Sequence, residues 1–193
     1  SALFNAALNV KNGTTSVFND NSGNTAAFNG NILIDAATTF NVSSGGYTAL
    51  ARSNVTNSGT ISGSGSTFTT RGASFINNGT INSTNFNFDS TTALSGAGTW
   101  AASNISINSS GNVSISGNNV AFGSTNVVSF FINPGGVLNP NTRTVTMRGT
   151  SNTVNFTLNA NGTTFNSGIF QTQGTVTMNI RNSSNFNSPL KVN

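Results

Sequence analysis

The 193-residue sequence has no cysteine and no histidine, and its only acidic residues are Asp20, Asp35 and Asp89. Without cysteine there is neither a disulfide framework nor thiolate chemistry. Without histidine the commonest general base and metal ligand is missing. Catalysis needs titratable groups converging on a cleft. Three scattered aspartates do not supply that, and of the three only Asp20 and Asp35 are close enough in sequence to pair. They read as isolated turn or solvated carboxylates, so the sequence points away from an enzyme, a cofactor and a dedicated metal site.

Charge is scarce altogether. Charged residues make up 5% of the chain, against about 25% in ordinary domains. The net charge of +4 comes from Lys11, Arg52, Arg71, Arg143, Arg148, Arg181 and Lys191. Only Arg143 and Arg148 lie near each other in sequence, and a nucleic-acid footprint needs clustered bases. Nucleic acid is therefore not an expected partner. No run of about 18 apolar residues could span a membrane. Strong helix formers are few. The one helix-like stretch, Ala2-Leu3-Phe4-Asn5-Ala6-Ala7-Leu8, reads equally as a short helix or irregular cap and as a first strand.

What fills the sequence is asparagine, serine, threonine and glycine, with 35 Asn and 21 Gly. Low hydrophobicity can signal disorder, but disorder comes with high net charge and few aromatic or β-branched residues. Here there are 15 Phe, and the apolar residues are patterned. Phe86-Asn87-Phe88, Ile105-Ser106-Ile107, Val113-Ser114-Ile115, Val145-Thr146-Met147, Val154 to Leu158 and Val176 to Ile180 alternate with a period of two. Each predicts a short half-buried strand. Gly and Asn clusters, among them Asn21-Ser22-Gly23, Asn57-Ser58-Gly59, Asn77-Asn78-Gly79 and Asn133-Pro134-Gly135-Gly136, supply turns with positive-φ capacity.

The decisive feature is an internal repeat. Val55-Thr56-Asn57-Ser58-Gly59-Thr60-Ile61 returns as Phe75-Ile76-Asn77-Asn78-Gly79-Thr80-Ile81. Gly59-Thr60-Ile61, Gly79-Thr80-Ile81 and Gly98-Thr99-Trp100 then follow at offsets of 20 and 19. Phe-Asn also recurs, at Phe18, Phe28, Phe40, Phe86, Phe165 and Phe186. Strand periodicity with a repeat of about 20 residues indicates a solenoid, in which no unit buries its face alone. The expected fold is all-β: one single-stranded parallel β-helix over residues 1–193, about 20 residues per coil and roughly nine or ten coils. A β-sandwich is the rival, disfavoured by the repeat and by the scarcity of proline and charge. Coils rise by about 4.8 Å, so like charges in a stacked column repel while Asn, Ser and Thr do not.

In these units, Asn57-Ser58-Gly59-Thr60-Ile61 and Asn77-Asn78-Gly79-Thr80-Ile81, the chain resembles the β-helical passengers of filamentous-haemagglutinin-type adhesins and autotransporters. The resemblance implies a right-handed parallel β-helix, secretion, and a role in adhesion or surface assembly. Asn139-Pro140-Asn141 shares a tripeptide with two-partner secretion domains, but order and spacing differ, and two tight turns around Val137-Leu138 explain it. Polysaccharide-cleaving β-helices use carboxylate clusters or metal ligands that this chain lacks.

The same residues bear on ice, glycan and glycosylation chemistry. The triplets Thr67-Phe68-Thr69, Thr144-Val145-Thr146 and Thr175-Val176-Thr177 do not recur at one coil period, so no flat threonine face for ice is expected. For glycan stacking only Trp100 and Tyr47 exist. Trp100 takes the place of Ile61 and Ile81 and is expected inside; Tyr47, after Gly45-Gly46, is the one candidate for exposure, with packing the safer reading. Sequons such as Asn12-Gly13-Thr14, Asn78-Gly79-Thr80 and Asn161-Gly162-Thr163 arise by chance in such a composition.

The function expected is an extracellular or cell-surface structural subunit, stacking head to tail with itself into a filament or fibre. Natural solenoids block their open ends with charge, proline or a cap, and residues 1–10 carry no charge while the C-terminal stretch carries only Pro189 and Lys191. Leu3, Phe4, Leu8, Val10, Leu190 and Val192 are the candidate assembly residues, and residues 1–10 a cap or a subunit-exchanging strand. The alternative is a stalk or binding segment of a larger adhesin, holding a glycan or host surface.

Overall fold

The computed structural model describes residues 2–11, 15–18, 25–42, 46–123, 129–159, 164–181 and 185–193, with the backbone alone at 15–18, 150–153, 164, 166 and 167. Asp20, the turn Asn21-Ser22-Gly23 and the sequons Asn12-Gly13-Thr14 and Asn161-Gly162-Thr163 lie outside them.

The described residues form strands and turns with no helix, and every strand pairing is parallel. The chain is a β-solenoid with coils of about 22 residues, close to the 20 read from the repeat. Each coil lays down three strand segments in turn. The first face begins with Ala2–Phe4, the second with Leu8–Val10 and the third with Thr15–Phe18. The N-terminal stretch is thus the strand of its two readings, paired in cis with Ala26–Phe28. Four long strands, Thr60–Thr70, Thr80–Phe88, Val137–Leu158 and Thr164–Ile180, bend round corners and serve more than one face. Among the described residues, twenty-one strands therefore give nine rungs on each face, from Ala2 to Met178 on the first.

Period-two alternation places every second side chain inside, where equivalent positions of successive coils stack. On the first face Phe68, Phe86, Ile105, Phe130 and Phe156 form one column, all fully buried. The third face contributes Phe40, Ile61, Ile81, Trp100 and Phe122, buried to the same degree. The two columns meet as an aromatic spine. Phe86 lies 5.1 Å from Trp100 edge to face, and Phe122 lies 4.6 Å from Phe130. These separations fall in the favourable range for ring pairs.

The interior is not wholly apolar. On the second face the column Val10, Ile34 continues into Asn57 and Asn77, both fully buried. Asn57 Nδ2 donates to Asn77 Oδ1 at 2.9 Å and to the Thr80 carbonyl at 3.3 Å; Asn77 Nδ2 donates to the Thr99 carbonyl at 3.3 Å. Asn57 Oδ1 has no partner. A buried polar group left unpaired costs more than one replaced together with its partner. Asn77→Val alone is therefore expected to cost about 1–3 kcal/mol. The double variant Asn57→Val/Asn77→Val is expected to cost less than that single change, in urea unfolding followed by circular dichroism. A double-variant loss equal to the sum of the two singles would show that the amides act independently.

Candidate functional site

The repeat signature resolves into three neighbouring columns with three different jobs. Ile61, Ile81 and Trp100 point inward. Thr60, Thr80 and Thr99 point outward from the same strands. Gly59, Gly79 and Gly98 sit at the corner before them. Their role is not positive φ, as the turn reading had it, but close approach between coils. A Cβ on Gly79 would meet the carbonyl oxygen of Gly59, and one on Gly98 that of Gly79. Positive φ occurs at other glycines, such as Gly46 and Gly96.

The Phe-Asn recurrence, by contrast, is not one structural position. Phe86 and Phe28 lie on the first face, Phe40 on the third and Phe165 on the second. Of those six, only Phe165 and Phe186 are register partners of each other, with rings stacked at 5.1 Å; Phe28 pairs instead with Phe4 of a further Phe-Asn, Phe4-Asn5, at 5.0 Å. Trp100 is inside, as expected. Tyr47 is inside as well, 3% exposed, so it offers no ring to a glycan.

Threonines do align, although the triplets that the sequence singled out do not stack on one another; Thr67 continues a first-face column from Thr25 and Thr48. Thr39, Thr60, Thr80 and Thr99 are consecutive partners on the third face, in line with Thr15. Beside them runs a column of Asn41, Ser62 and Asn82, in which Ser62 donates to Asn41 Oδ1 at 3.0 Å. The threonine column stops at Ala121, the next rung after Thr99.

A polar ladder runs down the corner after the first face. Backbone register places Asn29, Arg52, Arg71, Asp89, Asn108, Asn133 and Asn159 in successive coils. Asn159 donates to Asn133 at 2.7 Å, Asn133 to Asn108 at 2.8 Å and Asn108 to Asp89 Oδ1 at 2.6 Å. Arg71 meets Asp89 Oδ2 at 3.2 Å from the other side. Asp89 thus terminates a chain of amides that all donate in one direction. It also neutralises one of two arginines stacked in adjacent rungs, Arg52 and Arg71, the like-charge arrangement that a solenoid normally avoids. Asp35 occupies a different corner, its amide donating to the Val10 carbonyl at 2.9 Å. Among the described residues no three acidic, histidine or cysteine side chains stand together.

The candidate assembly residues collect at the two ends. Leu3 and Phe4 are 55% and 41% exposed on the first coil; Leu190 and Val192 are 50% and 75% exposed on the last. Ile180, which the sequence reading did not single out, joins them at 52%. Leu8 is half-buried. Val10 is buried, 1% exposed, so it offers its strand edge rather than an exposed side chain. Comparison with known protein families, curated proteins and solved structures finds no match to this chain.

Proposed function

We propose that the chain is an extracellular structural subunit that stacks head to tail with further copies of itself. The observation carrying this reading is that both end coils present unpaired strand edges lined with apolar side chains. Among the described residues, Ala2–Phe4, Leu8–Val10 and Thr15–Phe18 each pair on one side only. The same holds for residues 177–180, Asn185–Asn187 and Leu190–Val192 at the other end. Every inner coil already has a like coil above and below it. A second copy placed on either end repeats that contact, with Ile180 over Phe4 extending the column Phe4, Phe28. The two edges are opposite sides of one parallel lattice, so the contact is heterologous and does not close on itself. The low charge and the Asn/Ser/Thr surface suit an extracellular setting. The adhesin-stalk reading uses the same edges differently, covering them with covalently linked coils.

Charge pointing inward from an edge strand blocks pairing. Phe4→Lys should therefore block one end and Val192→Lys the other. In sedimentation velocity each variant alone is expected to stay a single rod, and their equimolar mixture to form dimers and stop. A dimer of either variant by itself would contradict head-to-tail stacking, because it would require a like-to-like contact.

A further inference from the structure

On the third face, Ala121 points outward from the strand Val120–Phe122, one coil below Thr99 and one above Thr146, and Gly123 follows at the end of that strand. At the Ala121 position the neighbouring rungs carry Thr99 and Thr146, while this one carries only a methyl group. The result is a depression of about 270 Å³, lined by Thr99, Asn119, Ala121, Gly123, Thr146 and Arg148. Gly123 is fixed there twice over. Its φ is +102°, and a Cβ would meet the carbonyl oxygen of Arg148.

Arg148 supplies the charge. Its Nε donates to Gln173 Oε1 at 3.1 Å, a neutral partner that orients the guanidinium without cancelling it. The only salt bridge among the described residues is elsewhere, between Arg71 and Asp89. Asn119 Oδ1 accepts from the Thr144 amide at 2.9 Å, which holds the Asn119 amide group at the rim with its Nδ2 left to donate. Two threonine hydroxyls, one carboxamide and one planar cation therefore surround a space of sugar-ring size, with no carboxylate in the lining.

We infer that this depression binds an acidic sugar, its carboxylate on Arg148 and its ring hydroxyls on Thr99, Asn119 and Thr146. Guanidinium pairs with carboxylate through two parallel hydrogen bonds, which a single arginine can supply. Hydroxyls and amides recognise the rest of a polyhydroxylated ring. Single-stranded nucleic acid is the other polyanion to consider, but its recognition needs exposed aromatic platforms, and Trp100 and Tyr47 are both buried. The inference does not depend on end-to-end stacking, since the site lies on the side of the rod.

The test is calorimetry with a short oligogalacturonate, a neutral malto-oligosaccharide and oligo-dT as three separate probes. The chain is expected to bind the uronate and neither of the others. Arg148→Gln removes the charge; Ala121→Leu fills the depression and leaves the charge in place. Each is expected to weaken uronate binding by about tenfold or more, with the thermal melt unchanged. Arg52→Gln, on a distant corner, should leave it within about twofold. Uronate binding that survives Arg148→Gln, equal affinity for the neutral sugar or for oligo-dT, or no uronate binding at all would each overturn the assignment.

Discussion

Replacing Trp100 by alanine is expected to lower stability by about 3–5 kcal/mol, the range for deleting a large aromatic from a close-packed core. Trp100 is 1% exposed and sits where the two aromatic columns meet. Phe75, Phe86, Phe88 and Phe122 all lie within 6.0 Å of it, centroid to centroid. The coils above and below are held by their own strand pairing and cannot collapse into the gap. Stability in a solenoid is a sum over neighbouring units, so a void at this junction weakens two interfaces together. Trp100→Phe should recover more than half of the loss, because Phe40 and Phe122 already occupy the same column. Since Trp100 is the sole tryptophan, unfolding of the variants has to be followed by circular dichroism. A loss below about 1 kcal/mol for Trp100→Ala would mean that the aromatic spine is not packed as described.

Gly79→Ala is expected to cost about 3 kcal/mol, at the upper end of what overpacking ordinarily costs. The new methyl group would press on the Gly59 carbonyl, which is backbone of the adjacent coil and has no rotamer to escape into. The Thr80 amide donates to that same carbonyl at 2.8 Å, so moving it apart also breaks ladder pairing. Gly46→Ala is the control. Gly46 has a φ of +85° but nothing within 4 Å of its added Cβ, so it carries only the left-handed backbone penalty of about 1–2 kcal/mol. If both substitutions cost the same in urea unfolding, coil-to-coil approach at the glycine corner is not the constraint.

These two sites also show what the sequence made legible. Around Gly59, Gly79 and Gly98 three consecutive coils have nearly equal length. On the first face Phe68 to Phe86 spans 18 residues and Phe86 to Ile105 spans 19. Repetition at constant spacing is readable by eye, and it carried the fold. Further on, Ile105 to Phe130 spans 25 and Phe130 to Phe156 spans 26. The extra residues are absorbed at corners, where the lattice imposes no length, and the register drops out of the sequence although the stacking continues.

The surface was harder to read for a different reason. The threonine column uses one residue per coil, so a search for Thr-x-Thr within a strand passes over it. Three of its members were nevertheless inside the recognised Gly-Thr-Ile, Gly-Thr-Ile and Gly-Thr-Trp triplets. The Asn133–Asn159 end of the corner ladder left no signal at all, because in a chain with 35 Asn any spacing is populated. The depression at Ala121 and Gly123 is made of missing side chains, and only register shows which larger residues surround them. The end coils were legible in outline from their lack of charge, whereas Ile180 and the burial of Val10 required the coil assignment.

The central claim is that like coils continue from one copy to the next. Cryo-electron microscopy of the unaltered chain over a range of concentrations tests it most directly. The account predicts filaments one solenoid wide, growing with concentration, with an axial repeat of about 43 Å from nine rungs at about 4.8 Å each. Separate rods of one copy at every concentration, or side-by-side sheets with no axial repeat of that length, would contradict it.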